Sequence, residues 1–322
     1  MKDDKCINPD VILKNYWNDN NQFADFVNTY LYNGQNVVSS DELKELDTDM
    51  SSLVEYKDVI DSEKGARDVI KIAKLSNLTG ISFIIIGIEN QEYIDYAMPL
   101  RTYMYDAINY KKQLRTFSKS IKNTKGLTKD EFLSRIRKTD TLTPVYTIVI
   151  YYGEKPWDGP KSLHEMFGPS HKDNLSYIND YHLNLLEVRN NNLIFHNKNN
   201  IDFFKILKIF FDESLSKKER REKAIQYTQD QNTDDNVILT AARAASINID
   251  YTKLAKNGGN NTMCKLFDEI ADEARLEGSI HTYIQTCKEF GISNSELKTR
   301  VINKFNISEE DCDKYIMNAL KS

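Results

Sequence analysis

The sequence predicts an α/β fold, a mixed sheet flanked by helices, followed by an α-helical C-terminal region. Three observations predict it. Two short runs, ISFIIIGI at 81–88 and PVYTIVIYY at 144–152, are apolar on both faces, as strands are when a sheet is covered on both sides. Segments with helical periodicity lie before, between and after them. Past residue 200 the pattern becomes helical, through DFFKILKIFFDES and KKERREKAIQYTQ to the end of the chain.

The first elements are helices. Asp10 is placed to cap a short helix through VILKNYW. Asp19 is placed to cap a second, with Gln22 three residues on as in a capping box. In that second helix Phe23, Phe26, Val27, Tyr30 and Leu31 form one apolar face, Asp25 and Asn28 lie on the other side, and Asn33-Gly34 ends it. In the polar stretch 35–65, SSDELKEL reads as a capped helical turn and 53–60 as a short strand.

Residues 66–74 and 81–89 read as strands. The turn formers SNLTG between them make an antiparallel hairpin whose second strand is central. Pro99 fits the first turn of a helix running from Leu100 to near Lys119. After the strand at 144–152 comes the turn-rich loop GEKPWDGP, with Trp157 as an anchor, and then a strand at 182–189. The Asn-rich loop NNNLIFHNKNN sets a domain boundary near residue 200, dividing 1–200 from 201–322. KKERREK at 217–223 reads as an exposed helix with internal ion pairs. In the tail, Ser293 with Glu296 and Ser308 with Asp311 mark two short capped helices.

Composition narrows the function. The chain has 322 residues, 40% of them hydrophobic and 28% charged, which is a globular and not a disordered composition. A net charge of −5 excludes a uniformly basic nucleic-acid binder, so any such contact must be local. The cysteines Cys6, Cys264, Cys287 and Cys312 form no CxxC pair and have no histidine at ligand spacing, which suits free thiols in a reducing compartment. The start, MKDDKCINPD, has no apolar signal-peptide core, and the most apolar run is too short to span a bilayer. A cytoplasmic protein with no membrane partner is expected. No GxxxxGK, GxGxxG or GxSxG motif appears, so an NTPase, a dinucleotide enzyme and a serine hydrolase have no support. The histidines at 164, 171, 182, 196 and 281 are scattered, without metal spacing.

The strongest chemical grouping is Asp68, Glu89 and Gln91. Glu89 and Gln91 share a face because a strand repeats every two residues, and the hairpin can set Asp68 opposite them. Two carboxylates there suit a hard cation, Mg²⁺ or Mn²⁺, with the Asn90 carbonyl as a further donor. Such an ion activates water for attack on a phosphodiester. Arg101 and Tyr105, four apart on the next helix, share one face beside it.

The run ARDVIKIAK…FIIIGIENQEYIDYAMPLRTYMYDAINY resembles the PD-(D/E)xK nuclease superfamily, and more narrowly its recombination-promoting nuclease/transposase branch (Rpn, YhgA-like). NQFADFVNTYLYNGQ, TPVYTIVIYYGEKPWDGPKSLHEMF and EFGISNSELKTRVINKF extend the resemblance over most of the chain. It implies a restriction-endonuclease-like α-β-β-β-α-β core, metal ligation by Asp68 and Glu89 with Asp25 as an additional ligand, and Mg²⁺-dependent hydrolysis of DNA in recombination or transposition. One departure is Gln91, where the superfamily pattern has lysine; glutamine exchanges hydrogen bonds but brings no charge. Members of this branch are similar in carrying E-x-Q, and Arg101 is placed to supply the charge.

Between Arg101 and Lys138 eleven Lys/Arg stand against Asp106, Asp130 and Glu131, a local +8 in a chain of net −5. Lys111, Lys112 and Arg115, with Arg101 and Tyr105, are the expected DNA contacts, and Tyr103, Tyr105 and Tyr110 are candidates to stack on bases. Three readings follow. The first is a metal-dependent DNA endonuclease. The second is a DNA-binding recombination accessory protein without catalysis. The third is an interaction module that forms homo-oligomers through its C-terminal helices.

Overall fold

The computed structural model describes residues 9–46, 68–77, 80–121, 126–153 and 155–245, and some positions between 279 and 316. The chain divides into two compact units. The larger is Ile7–Phe211 with Asn236–Ser246; the smaller is Met1–Cys6, Asp212–Asp235 and Ile247–Ser322.

The larger unit is built on a five-stranded sheet with its strands side by side in chain order: β1 (Leu43–Glu45), β2 (Val69–Asn77), β3 (Gly80–Gln91), β4 (Val145–Tyr151) and β5 (Asn184–Glu187). The first three strands are antiparallel, while β4 and β5 run parallel to β3, so the sheet is mixed. The hairpin is tighter than SNLTG suggested. Asn77 pairs with Gly80, so the strands absorb most of those turn formers. The expected turn at SSDELKEL is a 3-10 turn, Ser40–Glu42, that leads directly into β1. The strand expected at 53–60 lies outside the described residues.

Helices cover both faces. Helices α1 (Pro9–Asn18), α2 (Asn20–Tyr32) and α5 (Lys198–Phe210) lie on one, and α3 (Met98–Ser120) on the other. Helix α1 starts at Pro9, so Asp10 is inside it and not its cap; a proline at the first position costs nothing because that N–H has no intrahelical partner. Asp19 does cap α2, accepting from the Asn21 and Gln22 N–H groups. The reciprocal half of the capping box is missing, because Gln22 Nε2 turns to the Tyr16 carbonyl at 2.6 Å. Asn33, in left-handed conformation, closes α2. Pro99 sits in the first turn of α3, as expected. The short α4 (Lys129–Ser134) begins on a full Thr128/Glu131 capping box.

The core on the α1 face is aromatic. Trp17, Phe23, Phe26 and Phe203 are fully buried. Tyr16 stacks on Phe203 at 4.6 Å, and Phe195 on Phe204 at 4.3 Å. Such pairs add roughly 0.5–1.5 kcal/mol each beyond the area they bury. Asn28, which periodicity set on the outer side of α2, is buried. Its Oδ1 accepts from the Val37 and Val38 N–H groups and its Nδ2 donates to the Val38 carbonyl, so the amide substitutes for a strand partner. The boundary expected near 200 falls inside α5. Phe203, Phe204, Ile206 and Leu207 of that helix are buried, and the larger unit therefore runs on to Phe211.

The chain returns to the larger unit with α7 (Asp235–Ala244), whose Val237, Ile238, Ala241 and Ala242 are buried. In the smaller unit, α6 (Lys217–Gln231) begins on a capping box of Ser216 and Glu219 and carries the Lys218–Glu222 pair, in line with the ion-paired helix expected there. The helix α8 (Asn294–Phe305) places Leu297 and Val301 against Ile280, Ile284, Cys287 and Cys312. Cys287 and Cys312 are buried free thiols; Cys6 and Cys264 lie outside the described residues. Of the two Ser-x-x-acid helix starts expected in the tail, Ser293 of the first and Asp311 of the second also fall outside them. No helix among the described residues is long and apolar enough to cross a membrane.

Lys71 of β2 is a lysine turned into the core. It is fully buried on the α1 face, where Nζ donates to the Asn18 carbonyl at 2.6 Å and to Asn20 Oδ1 at 2.7 Å and lies 4.9 Å from the Phe23 ring centre. Burial lowers its pKa from the usual lysine value, with Glu45 and Asp19 opposing the shift. Between the lowered value and that of the unfolded chain, the unfolded state holds the proton that the folded state has lost. Stability therefore rises with pH across that interval. The difference in urea unfolding free energy, wild type minus Lys71→Met, is expected to become more favourable to wild type from neutral to alkaline pH. A flat difference would contradict this account of Lys71.

Candidate active site

The site forms where β3 and β4 end side by side. Their register sets Glu89 against Val149 and Gln91 against Tyr151, so these four share a sheet face. That face is the one α3 covers, because Met98 packs with Val149, Tyr151 and Trp157. Glu89 and Gln91 are both buried, at 4% and 6% exposure, so a charged group is held inside the protein.

Arg101, one turn into α3, answers that charge. Its Nη2 donates to Glu89 Oε1 at 2.9 Å and to the Tyr105 hydroxyl at 3.0 Å, and its Nη1 donates to Asp95 Oδ2 at 2.5 Å. Gln91 Nε2 donates to the same Glu89 oxygen at 3.3 Å. Burial alone would lower the Arg101 pKa, but the bonds to Asp95 and Tyr105 and the Glu89 charge raise it above the ordinary arginine value. The i, i+4 spacing of Arg101 and Tyr105 does bring them together, but not as two DNA contacts. Tyr105 is buried and holds the guanidinium.

Asn90, between Glu89 and Gln91, faces the opposite layer. Its Oδ1 accepts from Trp17 Nε1 at 3.1 Å and from the Tyr152 hydroxyl at 3.0 Å. Its backbone N–H and Nδ2 both donate to Asp68 Oδ2, at 2.8 and 3.0 Å. Asp68 stands just before β2, one step beyond the Val69–Ile88 pair, so it adjoins Glu89 along the hairpin. The two carboxylates thus end neighbouring strands but are fastened in different networks, Glu89 with Arg101 and Gln91, and Asp68 with Asn90, Trp17 and Tyr152. Sequence reasoning missed Asn90 as a side chain. The signal available was its place at the centre of the E-x-Q triplet.

Asp25 has other work. Its Oδ1 accepts from the His196 N–H at 2.9 Å and its Oδ2 from Asn200 Nδ2 at 2.8 Å, which ties α2 to the start of α5. Among the described residues no group of three or more His, Cys, Asp or Glu side chains is arranged to hold a metal ion, so Asp25 does not complete a three-carboxylate set with Asp68 and Glu89. The two remaining donors still fit Mg²⁺ in kind. That ion is commonly held by one or two carboxylates, with waters and substrate phosphate completing its shell.

The neighbouring loop closes on the same end of the sheet. Trp157 is buried, its ring edge-on to Tyr151 at 5.1 Å, its Nε1 donating to the Gly159 carbonyl and its N–H to Glu187 Oε2, which makes it the anchor its setting suggested. A Cβ on Gly153 would fall 2.1 Å from the Tyr151 hydroxyl, so that glycine gives the tyrosine ring its room. Just beyond the end of β3, Arg243 of α7 grips Glu92 through both terminal guanidinium nitrogens, at 2.6 and 3.3 Å.

Along α3 the expected cations continue outward. At 100° per residue, Arg101, Lys112, Arg115 and Lys119 fall within a narrow stripe, with Lys111 flanking it. Lys111, Arg115 and Lys119 are exposed and Lys112 half-buried. Tyr110 is not available for stacking, since it packs with Ile70, Ile85 and Val145 and its hydroxyl accepts from the Val145 N–H. Tyr103 remains exposed.

Comparison with known proteins finds no match to this chain among family models, curated proteins or solved structures.

Removing one member of a buried charge pair costs more than the pair contributes. Arg101→Ala is expected to destabilise the larger unit by about 2–4 kcal/mol, and Glu89→Gln added to it should recover most of the loss. Chemical denaturation of both single variants and the double variant checks this. Additive losses would show that the two side chains are not coupled.

Proposed function

We propose that the chain is a metal-dependent nuclease of the PD-(D/E)xK type, acting on DNA at the ends of β2 and β3. The observation that carries the reading is a buried glutamate at the end of a central strand, followed at two residues by a glutamine on the same face and met by an arginine from the next helix. A buried ion pair is poor value for stability, and strongly perturbed charged groups cluster where chemistry is done. The element order supports it as well. From α2 through β1, β2, β3, α3 and, after the short α4, β4, the chain runs in the α-β-β-β-α-β sequence that the superfamily resemblance implies.

In this reading Glu89 and Asp68 would hold Mg²⁺, which when bound supplies a polarised water and neutralises phosphate charge. The protein's own groups do the rest. Asn90 holds one oxygen of the Asp68 carboxylate with both its backbone N–H and its side-chain amide. Gln91 holds one Glu89 oxygen and presents an amide where the superfamily has lysine. Arg101, kept charged by Asp95 and Tyr105, provides the cation that Gln91 lacks. Lys112, Arg115 and Lys119 extend the positive stripe along which a phosphate backbone would run. Roles in recombination or transposition belong to the same proposal.

A second reading, nucleic-acid binding without cleavage, is favoured by one observation: the Arg101 guanidinium already neutralises Glu89, as a bound cation would. The two readings part in one experiment. Plasmid and oligonucleotide DNA incubated with Mg²⁺ or Mn²⁺ should be cleaved. Asp68→Ala and Glu89→Ala should each lower the rate more than about 100-fold while salt-sensitive binding persists. Wild type as inert as both variants, under either metal and with binding intact, would overturn the nuclease and leave the second reading.

A further inference from the structure

Beside the site lies an exposed apolar surface that the nuclease reading does not use. Tyr93 and Tyr96, in the turn between β3 and α3, are 68% and 62% exposed; Leu100, Tyr103 and Met104 on α3 are 41%, 46% and 48% exposed. Leu100 lies three and four residues before Tyr103 and Met104, so these three share one side of the helix, with Tyr93 and Tyr96 in the turn that leads into it. The Tyr96 hydroxyl donates to Asp158 Oδ1 at 3.2 Å, and the Tyr103 ring meets Tyr181 edge-on at 5.4 Å, so two of the rings are held in place by tip or edge. A contiguous exposed apolar patch marks an interaction site more often than it occurs by chance.

The charges around it say what would fit. The carboxylates nearest the tyrosines are engaged: Asp95 with Arg101, Asp158 with Tyr96, Glu92 with Arg243. Further along the same helix Lys111, Arg115 and Lys119 are exposed. Tyr103 and Lys111 are eight residues apart, about 12 Å along the helix axis, or three to four nucleotides at about 3.4 Å each. Aromatic rings followed by cations at that reach form a stacking platform joined to a phosphate track. Paired bases in a duplex cover one another's faces, so exposed tyrosine rings gain stacking only on unpaired bases.

We propose that this surface binds single-stranded nucleic acid, with the rings of Tyr93, Tyr96 and Tyr103 stacking on unpaired bases and Lys111 and Arg115 taking the backbone. The inference rests on the nucleic-acid half of the function proposed above and not on hydrolysis.

The test is fluorescence anisotropy of the full chain, in EDTA, with a labelled oligothymidylate and a duplex of equal length. Single strand should bind more tightly than duplex. The Tyr93→Ala/Tyr96→Ala double variant should lose about tenfold or more for the single strand and leave duplex binding unchanged, whereas the corresponding Phe double variant should keep wild-type affinity. Lys111→Ala with Arg115→Ala should weaken both ligands and flatten the salt dependence. A folded Ala double variant with unchanged single-strand affinity would overturn the proposal. So would a preference for duplex, or a dimer in sedimentation that dissociates on ring removal. Binding that fails while metal-dependent cleavage persists removes the surface and spares the nuclease; binding that holds in a protein that never cleaves does the reverse.

Discussion

A carboxylate inside a protein must meet a positive charge or give up its own, and at Glu89 the first course is taken. The requirement reaches well beyond one pair. Arg101 can reach Glu89 only if α3 begins where it does, with Met98 seated on Val149 and Tyr151 and Pro99 in the first turn. Once there, the guanidinium must use its remaining donors, and Asp95 and Tyr105 take them. The turn from β3 into α3 is therefore fixed at both ends by the same side chain. Tyr105 is buried for that reason, although Met104 before it is exposed.

Strand alternation carries the constraint through the sheet. If Glu89 and Gln91 turn toward α3, Asn90 must turn toward α1. An amide there cannot remain unpaired, and Trp17, Tyr152 and Asp68 satisfy its oxygen and its nitrogen. The indole N–H also reaches the Tyr152 hydroxyl at 3.3 Å, so the fully buried Trp17 gives its polar edge to this junction and its rings to the aromatic core. Burial raises the Tyr152 pKa strongly, with the Asp68 and Glu92 charges acting in the same direction, and keeps its hydroxyl a donor. One three-residue strand end thus joins both layers of the larger unit and sets the two candidate ligands in their separate networks.

Much of this was legible in the sequence, and the parts that were not share a cause. Continuous apolar runs locate β3 and β4, period-3.6 spacing locates α2 and Pro99 marks the start of α3, because burial of one face or both leaves its mark on consecutive residues. The Arg101–Tyr105 contact follows from spacing alone. What periodicity cannot register is a polar side chain that is buried because something distant satisfies it. Asn28 looks like a solvent-facing residue until the Val37 and Val38 backbone is folded onto it. Asp25 looks like a free acid until His196 and Asn200 arrive from more than 170 residues away. Lys71 is unremarkable as a residue type in a strand, and only the end of α1 and the start of α2 explain how it is held. Glu92 meets an arginine 151 residues later, on a helix that local pattern gave no reason to return to the sheet.

The same geometry explains how an acidic chain can present a basic face. Arg101 stands on the border between the buried and the exposed sides of α3, close enough to the sheet to neutralise Glu89 and exposed enough to face outward. Steps of eleven, fourteen and eighteen residues from it return to nearly the same angle, so Lys112, Arg115 and Lys119 prolong the direction in which the buried carboxylate pulls the first cation. The inward charge fixes the rotation of the helix, and that rotation aims the outward charges. A net −5 spread over the chain does not cancel them, because at physiological salt a surface charge is felt over only about 8 Å. What a ligand meets along α3 is the local sum, and because Glu89 and Asp95 together take up the charge of Arg101, that sum is carried by the lysines and arginine further along the helix.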